Sequence, residues 1–283
     1  MEKQYESQTH IFKHIKGVEI RLDLHKPLKQ IFAKAPLLVI IHGGGFTAGI
    51  RDWMNGPVHL ISDRLFSSGC AIASIDYRLQ PDRCIDGLGM QYEDCMDAIR
   101  YLAIHADEFG VDRENMGLLG ASAGGTMVLM CGFCGPHDFP GDEKLKNAPS
   151  FNIRFIVNFF GIPDFTMFES LYHSENTGAG IWWHNELPEN IKNDLRKKYS
   201  PITYLKKSSP PLLTIHGTVD PIVPYKTGTE LHQKADQIGQ NNKLITIKGG
   251  GHGWTELNKP ETKAEFEDMK QQLWFFTKKY FGV

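Results

Sequence analysis

The 283-residue sequence predicts an α/β domain with a mostly parallel sheet, and two observations support this prediction. Runs of apolar residues the length of a strand recur at 37–41, 70–75, 154–160, 212–216 and 244–247. Apolar residues throughout a short run are typical of a strand buried on both faces. The runs are separated by helical lengths, and strands alternating with helices indicate a parallel sheet.

The N-terminal strands and the helices have their own patterns. From His10 two strand-like runs follow one another, and 18–24 alternates strictly between apolar and charged residues. This alternation predicts an antiparallel strand with one face in solvent. Residues 57–68 predict a helix, and three- and four-residue spacing of apolar side chains predicts amphipathic helices over 87–109 and 262–280.

We expect residues 1–283 to form one domain, because 41% apolar residues suffice for a large core and no linker or repeat interrupts the chain. The alternation of predicted strands and helices is interrupted only at 164–200, which we interpret as a small cap insertion over one end of the sheet. The formal charge of −2 and the scattered Lys and Arg argue against nucleic-acid binding. No stretch reaches the ~18 apolar residues of a membrane span.

The sequence contains five cysteines, Cys70, Cys84, Cys95, Cys131 and Cys134. An odd number favours free thiols and a reducing compartment. Because the N-terminus is polar and shows no export signal, we expect a cytoplasmic protein. The last two cysteines have C-x-x-C spacing, but no second cysteine pair completes a zinc site, so we expect them to pack in the core.

The candidate nucleophile lies in Gly120-Ala-Ser122-Ala-Gly124, a G-x-S-x-G pattern. An apolar run precedes it and an apolar helix pattern follows it, in the order strand, turn and helix that this motif requires. Glycines allow the sharp turn to close and a substrate to approach the hydroxyl. The pattern therefore predicts Ser122 as an exposed nucleophile at a helix N-terminus.

A serine nucleophile needs a base and an acid that orients the base. Asp220 follows the apolar run 212–216, and His252 follows the run 244–247 in a glycine-rich loop. The order Ser, Asp, His is that of the α/β-hydrolases. Asp138 and Asp164 are rival acids, but neither lies between the last two strands.

The third requirement is a set of N–H donors for the developing oxyanion. In His42-Gly-Gly-Gly-Phe46 the glycines leave backbone N–H groups bare at the end of a strand. Ala123 adds an N–H at the start of the helix after Ser122. Gly44, Gly45 and Ala123 are therefore the candidate oxyanion hole.

Five motifs together resemble the esterase and lipase branch of the α/β-hydrolases, close to the hormone-sensitive-lipase-like carboxylesterases and the feruloyl and acetyl-xylan esterase-like proteins. They are the glycine motif from His42, Asp76-Tyr-Arg-Leu79, the G-x-S-x-G motif, His216-Gly-Thr-Val-Asp-Pro221 and Gly251-His-Gly253, within residues 37 to 254. The resemblance implies an α/β-hydrolase fold and the same triad and oxyanion hole. The resemblance assigns no catalytic role to residues 76–79, and we expect these residues to shape the glycine loop through ion pairs or hydrogen bonds.

The sequence departs from the larger lipase-like members because residues 1–36 predict strands where those proteins have a helical cap. We therefore expect short or compact aromatic acyl groups, on a polar alcohol such as a sugar. Candidate substrate-binding residues are Phe46, Trp182, Trp183 and Trp254. For Trp182 and Trp183, packing of the cap onto the sheet is an equal alternative.

The favoured function is a serine esterase acting on a small-molecule or oligosaccharide ester, with no cofactor and no metal. An amidase or peptidase, such as an arylformamidase, is the alternative. A catalytically silent binding protein is a third possibility, although such proteins tend to lose a triad member and all three candidates are present here. The oligomeric state, monomer or homodimer, stays open.

Overall fold

The computed structural model describes residues 4–52, 57–80, 87–135, 138–167, 187–253 and 263–283. Their strands form one eight-stranded sheet. The strands are β1 (Tyr5–Ile15), β2 (Val18–Pro27), β3 (Ala35–Ile41), β4 (Ala71–Ile75), β5 (Val111–Ala121), β6 (Ile153–Phe159), β7 (Leu212–Gly217) and β8 (Asn242–Ile247).

The order of the strands is β1-β2-β4-β3-β5-β6-β7-β8. From β4 to β8 every neighbouring pair is parallel, whereas β1 and β2 form an antiparallel hairpin that joins the sheet through β2 and β4. The predicted α/β-hydrolase architecture with a mostly parallel sheet is confirmed. In parallel strands all carboxyl ends lie at one edge, so the loops after β5, β7 and β8 meet there.

Helices cover both faces of the sheet. The described helices are α1 (Ser62–Ser67), α2 (Leu88–Ile104), α3 (Ala106–Phe109), α4 (Ala123–Phe133), α5 (Glu189–Tyr199), α6 (Tyr225–Gln237) and α7 (Lys263–Phe281). Side chains of α2, α4 and α6 pack in one apolar core, and those of α1 and α7 pack in the other. Successive residues of β3 alternate between the two cores, as expected of a strand buried on both faces. No helix in these ranges is long and apolar enough to span a membrane.

Two predicted helices are interrupted. Residues 57–68 begin with a 3₁₀ turn at 57–60, and α1 starts only at Ser62. The helix predicted over 87–109 ends at Ile104, where His105 leaves the helical conformation, and α3 is a separate turn closed by Gly110 with φ 68°. Hydrophobic periodicity continues across such a break, so periodicity alone does not reveal it.

Of the segment interpreted as a cap, the structure describes a 3₁₀ turn at 165–167 and helix α5. Trp182, Trp183 and residues 168–186 in general lie outside the described ranges. The cap and the single domain therefore stay predictions. Cys131 and Cys134 are buried in the core as expected, with the Cys134 thiol 3.2 Å from the Met130 sulfur.

A buried ion cluster attaches the hairpin to α2. Lys13 of β1 donates to Asp94 and to Asp97, each at 2.7 Å, and the side chains of all three are at most 3% exposed. Burial lowers the pKa of Lys13, but the two carboxylates outweigh burial and the pKa is raised. Arg100 pairs with Asp97 from the same helix. The cluster therefore joins the first strand to the layer that supports the nucleophile helix.

Candidate active site

Ser122 lies on a strained turn between β5 and α4. Its backbone has φ 53° and ψ −123°, a region that residues with a Cβ rarely adopt. Its N–H donates to the Phe159 carbonyl at 2.9 Å, which anchors the turn to β6. The residue is partly exposed, so the hydroxyl can be reached from solvent although its neighbours are buried.

The glycines around Ser122 are required by close backbone contacts. A Cβ on Gly120 would lie 2.2 Å from the Gly124 carbonyl oxygen, and one on Gly124 would lie 2.0 Å from the Ile41 carbonyl oxygen. The second contact places the start of α4 against the end of β3, where the glycine loop begins. A Cβ on Gly43 would lie 3.5 Å from Ser122 Cβ, so this loop passes beside the serine.

The structure brings Asp220 and His252 to Ser122. His252 Nε2 lies 3.1 Å from Ser122 Oγ, and His252 Nδ1 lies 2.8 Å from Asp220 Oδ2. The rival acids bond elsewhere: Asp138 accepts the Gly135 N–H at 2.6 Å, and Asp164 accepts the Thr166 N–H at 2.8 Å. The geometry is that of a nucleophile, a base and an orienting acid in hydrogen-bonding reach of one another.

Contacts between the loops after β7 and β8 explain why Asp220 and His252 meet. Val219 donates to the Gly250 carbonyl at 3.1 Å, and Gly249 donates to the Thr218 hydroxyl at 2.9 Å. Gly217 is needed at this crossing, because a Cβ there would lie 2.0 Å from the Gly250 oxygen. The two loops are therefore held together before any substrate binds.

The Asp220 carboxylate is held in its charged form. Burial alone would raise the pKa of Asp220, but the N–H of nearby His216 and hydrogen bonds from His252 and the Val223 N–H outweigh it and hold the pKa well below its usual range. An ionised acid beside His252 Nδ1 fixes the tautomer with the proton on that nitrogen. His252 Nε2 then offers its lone pair to the Ser122 hydroxyl.

The glycine loop after β3 is folded so that some N–H groups stay available. Thr47 and Ala48 donate to the Gly44 carbonyl at 3.1 and 3.0 Å, whereas the N–H groups of Gly44 and Gly45 have no acceptor within the described ranges. Gly44 has φ 118° and Gly45 has φ 58°, which favour glycine. Ala123 is the first residue of α4, so its N–H lies outside the helical ladder.

The loop is held by Asp76 and Tyr77, in the network that the sequence predicts for 76–79. Asp76 accepts hydrogen bonds from the Arg51 N–H at 2.7 Å and from the Arg51 guanidinium at 2.8 Å. The Tyr77 hydroxyl donates to the His42 carbonyl at 3.1 Å, and its ring stacks on the His42 ring. Arg78 pairs with Asp94 and so connects the loop to the buried ion cluster.

Gln91 is a loop contact that sequence reasoning missed. This fully buried side chain donates from Nε2 to the Phe46 carbonyl at 2.7 Å and to the Arg78 carbonyl at 2.8 Å. Gln91 thereby bridges the glycine loop and residues 76–79. A glutamine on the buried face of an amphipathic helix is the signal that could have indicated such a role, since a buried amide needs partners.

A cavity of about 850 Å³ opens at Ser122 and His252. Its walls include the glycine loop together with Phe160, Ile162, Ile222, Val223 and Asp52. The Phe160 ring lies 4.5 Å from the His252 ring, and this residue has φ 41°. Its position beside the histidine could not be inferred from the sequence, where it ends an ordinary apolar run.

Of the four candidate substrate-binding residues, the structure describes only Phe46. Phe46 borders the cavity, but it is only 1% exposed and its ring packs 6.4 Å from that of Phe165. A substrate would meet little of its surface. Trp182, Trp183 and Trp254 lie outside the described residues, so their roles stay predictions.

The sequence is similar to those of known esterases and of an acylamino-acid-releasing enzyme. The BD-FAE family model matches residues 22–235, which include the glycine loop, the turn at Ser122 and Asp220. Esterase LipC of Mycobacterium tuberculosis is 24% identical over 81% of this chain. The acylamino-acid-releasing enzyme of Rattus norvegicus is 24% identical over 86% of it. The chain spans 55% of the length of LipC and 31% of the rat enzyme.

Solved structures show the same fold. A truncated carbohydrate esterase from gut microbiota superposes with a TM-score of 0.76 at 23% identity, covering 100% of this chain and 99% of that one. Butyrate-bound esterase Est2 of Thermogutta terrifontis gives 0.76 at 20% identity, covering 97% and 95%. With the family model matching most of the sequence, this chain belongs to the BD-FAE family, in the esterase and lipase branch of the α/β-hydrolases.

Proposed function

We propose that the protein is a serine carboxylic-ester hydrolase that works through an acyl-enzyme. The observation that carries this proposal is the chain of hydrogen-bonding distances from Ser122 Oγ through His252 to Asp220, with Ser122 and His252 lining a cavity. The role of each of these three residues follows from its position in this chain and from the chemistry of its side chain. Similarity to LipC and to the two esterase structures supports the same activity.

In the first half-reaction Ser122 Oγ attacks the acyl carbon and its proton passes to His252 Nε2. The carbonyl oxygen becomes an oxyanion, which the N–H groups of Gly44, Gly45 and Ala123 stabilise. When the bond to the alcohol oxygen breaks, His252 returns the proton to that oxygen. Water then attacks the acyl-enzyme with His252 again as base, and the carboxylic acid and Ser122 are released.

The proposed substrates carry short acyl groups, from acetyl to butyryl, or a compact aromatic acyl. The Phe160 ring packs against His252, so a bulky side chain bounds the part of the cavity next to the catalytic histidine. Each buried methylene of a longer acyl chain contributes ~0.8 kcal/mol only where apolar surface receives it. Structures of Est2 with propionate and with butyrate support this choice, and the gut carbohydrate esterase supports a sugar as the alcohol.

Amide hydrolysis is the second candidate, and similarity to the acylamino-acid-releasing enzyme favours it. The same residues would serve, with the amine as leaving group protonated by His252. Measuring an N-acetyl-amino-acid anilide beside an acetyl ester of similar size separates the two activities. A higher kcat/KM on the anilide would make amide hydrolysis the main function.

The test of the proposed function is a series of p-nitrophenyl esters from acetyl to palmitoyl, together with acetylated and feruloylated sugars. We expect kcat/KM to be highest between acetyl and butyryl. A fluorescent alkylphosphonate should label the wild type with one equivalent and leave Ser122→Ala unlabelled. Hydrolysis that persists in Ser122→Ala would overturn the mechanism, and a maximum at octanoyl or beyond would overturn the acyl preference.

A further inference from the structure

A second imidazole lies against the Asp220 carboxylate. Asp220 Oδ1 accepts the N–H groups of Ile222 and Val223, each at 2.8 Å. Oδ2 lies 2.8 Å from His252 Nδ1 and 3.5 Å from His216 Nε2. His216 belongs to β7 and is fully buried, whereas His252 is reached from the cavity.

The surroundings of His216 determine where its proton lies. Its Nε2 is 2.8 Å from the Val223 carbonyl oxygen, and a carbonyl oxygen can only accept. The proton is therefore on Nε2, which also lies 3.5 Å from Asp220 Oδ2. Its Nδ1 has no partner among the residues the structure describes. The His216 ring therefore acts as a hydrogen-bond donor through Nε2, the nitrogen nearer to Asp220.

The imidazole has no room to move away. A Cβ on Gly228 of α6 would lie 2.8 Å from His216 Nδ1, so this helix packs directly on the ring. The Tyr225 ring meets it edge-on at 5.6 Å. Since Val223 is 1% exposed, its carbonyl needs this donor, because a buried unpaired carbonyl costs about 1–3 kcal/mol.

We propose that His216 is a positioning residue for the triad acid, which rests on the hydrolase function proposed above. Its N–H holds the Val223 carbonyl and so closes the turn from 220 to 223, while the same nitrogen lies 3.5 Å from Asp220 Oδ2. The carboxylate then keeps one orientation toward His252 Nδ1. Loss of the donor lets the turn relax and the acid rotate, and the effect reaches Ser122 only through His252.

The experiment compares His216→Met, His216→Gln and His216→Asn in kcat on p-nitrophenyl acetate. Glutamine carries an amide nitrogen at the position of Nε2, asparagine carries one nearer the backbone, and methionine has no donor. We expect kcat to fall on the order of tenfold for Met and Asn, as for loss of one buried hydrogen bond. Glutamine should keep kcat within about threefold of the wild type.

His232→Met is the matched control. His232 is also a buried histidine, 5% exposed, and it bonds to Asn242 of β8 rather than to the turn that carries Asp220. We expect its kcat to stay within about twofold of the wild type even where its melting temperature falls. If His216→Met does not fold, the comparison of glutamine with asparagine carries the same test. Equal losses for Gln and Asn, or a loss for Met under twofold, would overturn the role.

A double-mutant cycle tests whether His216 acts through Asp220. In the Asp220→Asn background, adding His216→Met should cost less than about twofold in kcat, because the acid it positions is already gone. Additive losses would show a general structural role instead. The proposed function is tested separately, by ester hydrolysis in the wild type that is lost in Ser122→Ala. A negative result at His216 would therefore refute the positioning role alone.

Discussion

The N–H of Val219 donates to the Gly250 carbonyl at 3.1 Å, and this bond ties the loop carrying Asp220 to the loop carrying His252. The two residues are 32 positions apart in sequence, yet their side chains meet at 2.8 Å. Because the loops are joined backbone to backbone, the acid and the base are oriented before substrate arrives. Such preorganisation is what makes a triad effective.

Replacing the nucleophile should abolish activity without unfolding the protein. We expect Ser122→Ala to lower kcat on p-nitrophenyl acetate by on the order of 10⁴–10⁶, since the triad acts as a unit. His252→Ala should lose a similar factor, and both variants should keep the wild-type circular dichroism spectrum. Residual turnover above a tenth of the wild type would remove Ser122 from the mechanism.

The strained backbone of Ser122 predicts a stability difference between two inactive variants. At φ 53° an alanine keeps the strain, whereas glycine relieves it. We expect Ser122→Gly to exceed Ser122→Ala in free energy of unfolding by about 1 kcal/mol, measured in urea. Equal stability, or a more stable alanine variant, would show that the turn stores no strain.

The lowered pKa of Asp220 predicts a stability that is lost in acid. The folded carboxyl binds its proton more weakly than the unfolded one, whose pKa is about 3.9, so its contribution is complete at neutral pH and declines below about pH 4. The wild type should therefore lose stability relative to Asp220→Asn between pH 7 and pH 3, by about 1 kcal/mol. Urea unfolding at both pH values measures this, and a constant difference would contradict it.

Phe160 should limit the length of the acyl group. We expect Phe160→Ala to raise the ratio of kcat/KM on octanoyl over acetyl ester by about tenfold, because the space opened could bury two or more methylenes at ~0.8 kcal/mol each. Its absolute kcat should fall, since the ring contacts His252. Phe139→Ala removes an equally buried ring that packs on Tyr92 outside the cavity lining. An equal shift in that control would mean that general loosening, and not the cavity wall, sets the preference.

The buried cation at Lys13 should matter to stability far more than an exposed one. Lys13→Met leaves Asp94 and Asp97 with less compensation, so we expect a loss of about 3 kcal/mol in free energy of unfolding. Lys26→Met, on the neighbouring strand, removes an exposed pair with Glu6 at 3.3 Å and should change stability by less than about 0.5 kcal/mol. Similar losses for the two variants would contradict the role of burial.

Patterns within short segments accounted for the fold and for the candidate triad. The apolar runs at β3, β5 and β7 reflect burial on both faces, a property that composition alone reveals. Ser122 could be named because its strained turn demands glycines at fixed offsets, a demand that any chain of this fold must meet locally. The break at His105 escaped prediction, since apolar spacing continues through it.

Contacts between distant segments could not be predicted in this way. Gln91 reaches the Phe46 carbonyl 45 positions away, and even the shorter-range contact of His216 with the Val223 carbonyl depends on how the loop after β7 folds back on its strand. Each is a polar residue at a buried position, Gln91 on the buried face of α2 and His216 in β7, but its neighbours in sequence do not reveal its partner. A buried donor must find an acceptor, but which acceptor lies in reach depends on how the whole sheet is assembled. The sequence alone identifies the residues able to do the chemistry, and the packing of the loops at one edge of the sheet determines which groups orient them.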